Sequence, residues 1–258
     1  MMGQAMDPDW LAAMRRVRRA VVFTGAGVSA ESGIATFRDA LSGLWARYDP
    51  ASMATAEAFA AEPDLVWGWY QWRLRQVAEA QPNPAHRAIA ALATRVEQLT
   101  VVTQNVDDLH ERAGSRDVIH LHGSLSATRC FDCARPHPLS NDVLAEVVEG
   151  QRISPPQCGF CGGWIRPGVV WFGEMLPDGA FEQALDAAGK CDLLLAVGTS
   201  GQVYPAAHIP QHALASGAWL VHVNPDSIAP RAERERSLQG PAGHWLPQLL
   251  ELIGGVDD

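Results

Sequence analysis

Five short apolar runs rich in β-branched residues constrain the fold of this chain more than any other feature. They are AVVFT (20–24), LTVVT (99–103), DVIHLHG (117–123), DLLLAVG (192–198) and WLVHVN (219–224). Runs of this kind are typical of parallel strands buried on both faces. Alanine-rich amphipathic segments at 84–97, 179–190 and 205–217 separate many of them. The alternation predicts an α/β fold, in which helices cover both faces of a doubly wound parallel sheet.

Two stretches interrupt this alternation. Residues of about 45–84 are rich in aromatic side chains and have helical periodicity, and residues of about 128–167 contain four of the five cysteines. We expect both stretches to be insertions that together build a second, smaller domain beside the sheet.

The composition indicates a folded protein, and the net charge indicates which classes of partner it favours. Hydrophobic residues make up 47% of the 258 residues and charged residues 19%, which fits a soluble enzyme and excludes bulk disorder. The net charge of −9 disfavours a nucleic acid as the main partner and suits a lysine-bearing peptide better.

No run reaches the ~18 apolar residues that a membrane span needs. The N-terminus has no signal-peptide pattern, so we expect a cytoplasmic protein.

The cysteines predict a metal site. Cys130, Cys133, Cys158 and Cys161 form two C-x2-C pairs separated by 24 residues. Two such pairs supply the four thiolates of a tetrahedral Zn²⁺ site, and four protein ligands leave no open position for catalysis. We therefore predict one structural zinc that stabilises a small module; a redox role for either pair is the alternative. Cys191, beside an apolar run, is expected to be a small buried residue.

The first apolar run leads into a glycine-rich segment, GAGVSAESG. Gly25, Gly27 and Ala30 match the pattern G-x-G-x-x-A, in which glycines let backbone N–H groups approach a pyrophosphate at a helix N-terminus. The alternative is that a tight strand-to-helix turn alone requires the glycines. The next convincing run begins 75 residues after the first ends, so the acidic ribose-binding residue that usually follows about 20 positions on is missing.

Polar segments follow two of the predicted strands. TQNVDDLHERAG (103–114) places Gln104, Asn105 and Asp107 directly after an apolar run, where open α/β sheets bind ligands. Asn105 or Asp107 could instead cap a helix. His120 and His122 of HLHGS alternate along one predicted strand and so share a face. One of them is a candidate general base, because histidine titrates near neutrality.

The stretch WGWYQWRLRQ (67–76) places an arginine where a core residue is expected. Taken as a helix at about 100° per residue, it aligns Val66, Tyr70, Arg73 and Val77 on one stripe and points Arg75 to the opposite side. Arg73 could lay its methylenes on apolar surface and reach water with its head. It could otherwise form a site together with Tyr70.

Taken together, these motifs resemble the sirtuins, the NAD-dependent protein-lysine deacylases. GAGVSAESGIATFRD, TQNVDDLHERAG, HGS, the paired cysteines, PGVVWFGE, GTSG and VNP occur in the sirtuin order over residues of about 18–250. The resemblance implies a variant Rossmann fold, which accounts for the missing acidic residue. It divides the chain into a Rossmann-like NAD-binding domain (1–45, 85–127 and 168–258) and a small domain. The small domain comprises a helical insertion (46–84) and a zinc-binding module (128–167).

The resemblance also implies roles for single residues. Those that would contact NAD are Gly25, Ala26, Gly27, Ala30, Phe37, Arg38, Gln104, Asn105, Asp107, Gly198, Thr199, Ser200, Asn224, Pro225, Asp226 and Ala242. Among them, Phe37 would shield the reactive sugar from water, and Asn105 would also be catalytic. His122 matches the family's general base. Residues 169–174 would receive the acylated protein by strand addition, through Val170, Trp171, Phe172 and Gly173.

The implied reaction consumes NAD⁺ and yields free lysine, nicotinamide and an O-acyl-ADP-ribose. One subgroup of sirtuins carries Tyr-x-x-Arg, which YQWR matches at Tyr70 and Arg73. The match implies a preference for acidic acyl groups such as succinyl, malonyl or glutaryl, because a guanidinium can hold a carboxylate by two parallel hydrogen bonds. Ala40 would leave room for the longer acyl chain.

Two other functions are compatible with parts of the sequence. A mono-ADP-ribosyltransferase would use the same NAD pocket, and the residues of that pocket would not distinguish it from a deacylase. A zinc-ribbon binding module is a different class of function, but a single ribbon leaves the long α/β framework unexplained.

Overall fold

The computed structural model describes residues 7–36, 53–138 and 147–254. In these ranges the helices are α1 (Pro8–Arg15), α2 (Gly27–Ala30), α3 (Ala56–Ala61), α4 (Pro63–Glu79), α5 (Pro84–Leu92), α6 (Leu109–Arg112), α7 (Ala180–Lys190), α8 (His208–Ala215) and α9 (Ala242–Leu252). The strands are β1 (Arg19–Thr24), β2 (Gln98–Thr103), β3 (Ile119–His120), β4 (Gly123–Cys130), β5 (Ile165–Val169), β6 (Leu193–Val197), β7 (Trp219–Asn224) and β8 (Glu235–Gln239). No helix of the described ranges is long and apolar enough to cross a membrane.

Six parallel strands form the central sheet, in the order β3-β2-β1-β6-β7-β8. The chain builds one half of the sheet outward from β1 through β2 to β3. It then returns to the other side of β1 with β6 and continues outward to β8. The strand order therefore reverses between β1 and β6, and open α/β sheets bind ligands at the carboxyl ends of the strands beside such a reversal.

Successive residues of the central strands face opposite sides of the sheet and build two cores. On one side, Val22 and Leu195 pack with residues of α1, α5 and α9, such as Trp10 and Leu246. On the other side, Phe23 packs in a core that includes residues of α7 and α8. Both faces of the sheet are thus buried, as the continuous apolar runs predicted.

A third core lies outside the central sheet. The antiparallel pair β4 and β5 and the aromatic helix α4 surround it, and Phe59, Trp69, Ile165 and Trp171 are among its fully buried side chains. Both stretches that interrupted the strand–helix alternation contribute to this core. The boundary positions of the two-part division stay predictions.

The structure corrects several element boundaries. The strand expected over 117–123 is reduced to β3, which pairs with β2 at only two positions. Its continuation is a turn, and Gly123, with a φ of +73°, directs the chain into β4. Helix α5 ends at Leu92 because the N–H groups of the next three residues, Ala93 to Arg95, each bond to the carbonyl three positions back instead of four. Strand β8 was not predicted.

Candidate functional site

The loops after β1 and β6 meet at the point where the strand order reverses. The N–H of Gly27 donates to the carbonyl of Gly198 (2.9 Å), and that of Gly25 donates to Val197 (3.0 Å). A Cβ atom on Gly27 would lie 2.8 Å from the Cα of Gly198, whose φ is +59°. Glycine is therefore required for close packing of the two loops.

This packing changes the expectation for the glycine-rich segment. We expected backbone N–H groups of this segment to approach a pyrophosphate, and those of Gly25 and Gly27 instead donate to the end of β6. The N–H of Ala26, between them, has no partner among the described residues. Ala26 thus carries the backbone donor that this turn can offer to a ligand.

A buried polar network joins the loop after β1 to the loop after β2. The Asn105 side-chain amide donates to the Ser29 hydroxyl (3.0 Å), which donates to the Asp107 carboxylate (2.9 Å). Burial raises the pKa of Asp107. Asp107 also accepts the N–H of Leu109 at the start of α6, although the N-cap position itself is occupied by Asp108. The ligand role of Asp107 stays a prediction. The sequence analysis assigned no role to Ser29, although it lies within the quoted glycine-rich segment.

A second network joins β2 to β6 and β7 at the same edge. Thr199 accepts a hydrogen bond at its hydroxyl from the side chain of Gln104 (2.8 Å) and at its carbonyl from that of Asn224 (2.9 Å). The other predicted cofactor residues lie on segments that leave this edge. Ala30 ends α2, Ser200 follows Thr199, Pro225 and Asp226 follow Asn224, and Ala242 begins α9.

His122 lies in the turn between β3 and β4, beside the loop after β2. Its Nδ1 lies 3.0 Å from the carbonyl oxygen of Gln104. A carbonyl only accepts, so Nδ1 carries the hydrogen and Nε2 is left as the basic nitrogen. Burial lowers the pKa of His122, which keeps the ring neutral and ready to accept a proton.

His120 and His122 do not share a strand as we expected, because β3 ends at His120. Nδ1 of His120 bonds to the Asn105 carbonyl (3.2 Å), and its Nε2 bonds to Glu111 (2.6 Å). The bond to Glu111 favours the charged ring and, against the opposing effect of burial, the pKa of His120 is raised. With both nitrogens engaged, His120 is poorly suited to act as a base, so the geometry favours His122.

Tyr70 and Arg73, two residues of the predicted stripe, lie on the aromatic helix α4. Val66, Tyr70 and Val77 are buried. Arg73 is half-buried, with its guanidinium over the ring of Trp69 at 5.3 Å. Among the described residues no carboxylate lies within ion-pair distance of this guanidinium and none hydrogen-bonds to it, although Asp107 attracts it from farther away. Burial lowers the pKa of Arg73, and a bound anion would oppose that effect.

Residues 170–174 offer less backbone for strand addition than we expected. Four of their five N–H groups donate within the chain: Val170 to His122, Trp171 to Glu174, Phe172 to Ala54, and Glu174 to Trp171. Only the Gly173 N–H lacks a partner among the described residues. The Trp171 side chain is 1% exposed and belongs to the third core, outside the central sheet, whereas Phe172 is 55% exposed. The predicted contact between Trp171 and a peptide stays a prediction.

The four paired cysteines converge on one point. Their sulfur atoms all lie within 4.8 Å of one another, with 3.5 Å between Cys130 and Cys161 and 3.8 Å between Cys133 and Cys158. Ligands about 2.3 Å from a tetrahedral Zn²⁺ lie ~3.8 Å apart. The donor set and its spacing fit one structural zinc, as predicted.

Cys191 is separate from this cluster and is buried, as expected. Its thiol donates to the Ala188 carbonyl (3.3 Å), and burial raises its pKa to about 11. A thiol that stays protonated is a poor nucleophile. Three predicted residues, Phe37, Arg38 and Ala40, lie outside the described residues.

Purified protein is expected to contain one zinc per chain. Replacing Cys158 with serine removes one of four thiolates, so zinc should fall below about half an equivalent and the thermal midpoint should drop. Elemental analysis with thermal denaturation measures both quantities. Cys191→Ser is the matched control and should keep its full equivalent of zinc. Full zinc retention in Cys158→Ser would contradict the assignment.

The sequence and the structure of this chain are similar to those of the same family of proteins. The Sir2 family profile matches residues 25–205. An NAD-dependent protein deacylase of Pseudomonas aeruginosa is 64% identical over 90% of this chain and 93% of that protein. One of Mycobacterium tuberculosis is 48% identical over 91% of this chain and 98% of that protein.

Solved structures agree with these sequence relatives. A Sir2 homologue in complex with NAD superimposes with a TM-score of 0.84 at 43% identity, covering 95% of this chain and 93% of that one. A mutant homologue bound to 2′-O-acetyl-ADP-ribose gives 0.84 at 42%, covering 96% of both chains. With a family match over most of its length and close relatives over nearly all of it, this chain belongs to the Sir2 family.

Proposed function

We propose that this protein is an NAD-dependent protein-lysine deacylase that removes acetyl groups and, preferentially, the acidic succinyl, malonyl and glutaryl groups. Relatives named NAD-dependent protein deacylase support the general reaction. One observation carries the acidic preference: Arg73 is a half-buried guanidinium that makes no direct ion pair with the described residues, and it lies one helical turn from Tyr70. Asp107 attracts it only from beyond contact distance.

The residues at the carboxyl edge of the sheet suit NAD. The Ala26 N–H and the polar groups of Gln104, Asn105, Asp107 and Thr199 lie on loops that surround the strand-order reversal. When bound, NAD⁺ supplies a sugar carbon from which neutral nicotinamide can leave, so that even an amide oxygen can attack it. The Ser29–Asn105–Asp107 network fixes the polar groups in advance, which limits the reorganisation required during reaction.

His122 supplies the proton transfer that the reaction requires. Its Nδ1–H is held by the Gln104 carbonyl, so the ring orientation is fixed and Nε2 accepts a proton from a ribose hydroxyl. A positioned base of this kind contributes typically 10²–10⁴-fold to the rate. The zinc-binding cysteines would stabilise the small domain and take no part in this step.

Tyr70 and Arg73 recognise the acyl group. A carboxylate at the end of a succinyl chain would gain two parallel hydrogen bonds from Arg73 and a third from the Tyr70 hydroxyl. In surroundings of low dielectric, these bonds are stronger than they would be in water. An acetyl group lacks the carboxylate and leaves Arg73 hydrated, so acetyl removal is expected to persist at lower efficiency.

One peptide carrying acetyl-, malonyl-, succinyl- or glutaryl-lysine in turn tests the proposal. We expect kcat/KM for at least one acidic acyl group to exceed that for acetyl by about tenfold or more, the effect of roughly one charge-assisted hydrogen bond. Equal or lower efficiency for every acidic acyl group would refute the preference.

Mass spectrometry of the same incubations with NAD⁺ separates the deacylase from its alternatives. Loss of the acyl mass supports deacylation, whereas gain of ADP-ribose supports mono-ADP-ribosyl transfer. Retained partner binding without any NAD-dependent change of mass would favour a binding module.

The acid limb of the pH profile is expected to reflect His122. Burial lowers its pKa, and only the neutral ring can accept a proton. Activity should therefore be retained as pH falls through the ordinary histidine value of about 6.5 and should be lost at lower pH. Measuring kcat/KM from about pH 5 to about pH 8 checks this, and an acid limb centred above pH ~7 would contradict it.

A further inference from the structure

The indole of Trp171 hydrogen-bonds to the hydroxyl of Tyr70. Trp171 Nε1 lies 2.9 Å from the Tyr70 oxygen, and the two side chains are 1% and 5% exposed. We propose that Trp171 is a positioning residue for acyl selectivity, which fixes the Tyr70 hydroxyl so that its hydrogen is presented to the acyl carboxylate beside Arg73. The proposal rests on the acidic-acyl preference proposed above.

The direction of this hydrogen bond is fixed by chemistry. An indole N–H can only donate, so the Tyr70 oxygen is the acceptor and the hydroxyl hydrogen is not used in the bond. Burial raises the pKa of Tyr70 to about 12, so the hydroxyl stays protonated at neutral pH. The described residues offer no acceptor to its hydrogen, which leaves it available to a ligand.

Trp171 is itself held rigidly. The Arg166 guanidinium carbon lies 3.4 Å from the centre of the indole ring, and the ring of Phe59 packs 5.4 Å away. The Trp171 backbone N–H donates to the Glu174 carboxylate (2.8 Å). A ring held by Arg166, by Phe59 and through its own backbone can keep the Tyr70 hydroxyl in one orientation.

Arg166 and Glu174 support the tryptophan without competing with Arg73. Arg166 is 3% exposed and donates from both terminal nitrogens to the two carboxylate oxygens of Glu174. Its charge is therefore already paired. Arg73 has no such carboxylate among the described residues, so of these two guanidinium groups only Arg73 is available to an acyl anion.

The test is a double-mutant cycle on the ratio of succinyl to acetyl kcat/KM. Trp171→Phe removes the N–H and Tyr70→Phe removes the hydroxyl. Each should lower the ratio about three- to tenfold, as expected for one neutral hydrogen bond. The loss should lie mainly in KM for the succinyl peptide, and acetyl kcat/KM should fall by a smaller factor than succinyl kcat/KM. Because both variants break the same hydrogen bond, the double variant should lose little more selectivity than either single variant.

Two controls distinguish positioning from packing. Leu65→Ala disturbs the same core at a residue outside the contacts that fix Trp171, so it should lower the thermal midpoint and leave the selectivity ratio unchanged. Incorporating 3-benzothienylalanine at position 171 keeps the bicyclic ring but removes the N–H, and it should reproduce the selectivity loss of Trp171→Phe. If Trp171→Phe does not fold, the protein with this analogue tests the hydrogen bond in its place.

The outcomes separate this inference from the proposed function. If Arg73→Met and Tyr70→Phe lower the ratio but the benzothienylalanine protein does not, the positioning role of Trp171 is wrong and the acidic preference stands. Additive losses in the cycle would likewise overturn the positioning role. If Arg73→Met leaves the ratio unchanged, the acidic preference itself is wrong and this inference falls with it.

Discussion

Replacing His122 with tyrosine should reduce deacylation by about 10²–10⁴-fold, the usual contribution of a positioned general base. His122 is the histidine whose Nε2 stays free while its Nδ1–H is held by the Gln104 carbonyl. A phenol at this position is protonated at neutral pH and cannot accept a proton. The loss should appear in kcat for every acyl group alike, because the proton transfer is common to all of them.

NAD⁺ binding separates loss of chemistry from loss of the site. Titration calorimetry should give a dissociation constant for His122→Tyr within about fivefold of the unsubstituted protein, since its contribution is to the reaction step. The neighbouring His120 is the matched control, because both of its nitrogens are already engaged. His120→Gln should keep at least about a tenth of the activity. Near-normal deacylation by His122→Tyr would remove His122 from the role of base.

Replacing Arg73 with methionine should lower desuccinylation far more than deacetylation. Loss of a charge-assisted hydrogen bond costs about 1.5–3 kcal/mol, which corresponds to about 10- to 150-fold in kcat/KM. Methionine keeps a long, flexible side chain that can cover the ring of Trp69, so the packing of α4 should survive. Steady-state kinetics on one peptide with either acyl group measures the two effects in parallel.

The same helix supplies a matched control for Arg73. Arg75 points to the other side of α4, where it bonds to Glu79 and to the Val147 carbonyl. Arg75→Met should leave the ratio of the two activities unchanged. An equal loss of both activities in Arg73→Met, together with a lower thermal midpoint, would show that Arg73 supports the fold and does not read the acyl group.

Local pattern was sufficient to predict most of the central sheet. β1, β2, β6 and β7 each begin and end within one residue of a predicted run, because a strand buried on both faces must be apolar at every position. β8 escaped prediction because it lies at the sheet edge and buries only Glu235 and Leu238. Its buried carboxylate is accommodated by the His222 ring (2.9 Å), a contact that no local pattern indicates.

The candidate site was predictable in part. Helical periodicity placed Tyr70 and Arg73 on one stripe of α4, and strand ends placed Gln104, Asn105 and Asp107 near one another. Periodicity carried no information about Trp171, which lies 101 residues beyond Tyr70. The choice between His120 and His122 was equally inaccessible, since it depends on which carbonyl or carboxylate each ring meets after folding.

The amino-acid order alone determined the fold class, the family resemblance and the four zinc ligands, because burial periodicity and ligand spacing are properties of neighbouring residues. Only the tertiary structure decided that the glycines of the first turn pack against β6, that His122 keeps a free basic nitrogen, and that Arg73 makes no direct ion pair with the described residues. Those properties depend on which distant groups the folded backbone brings within hydrogen-bond reach, and such distances are set by the packing of the whole chain.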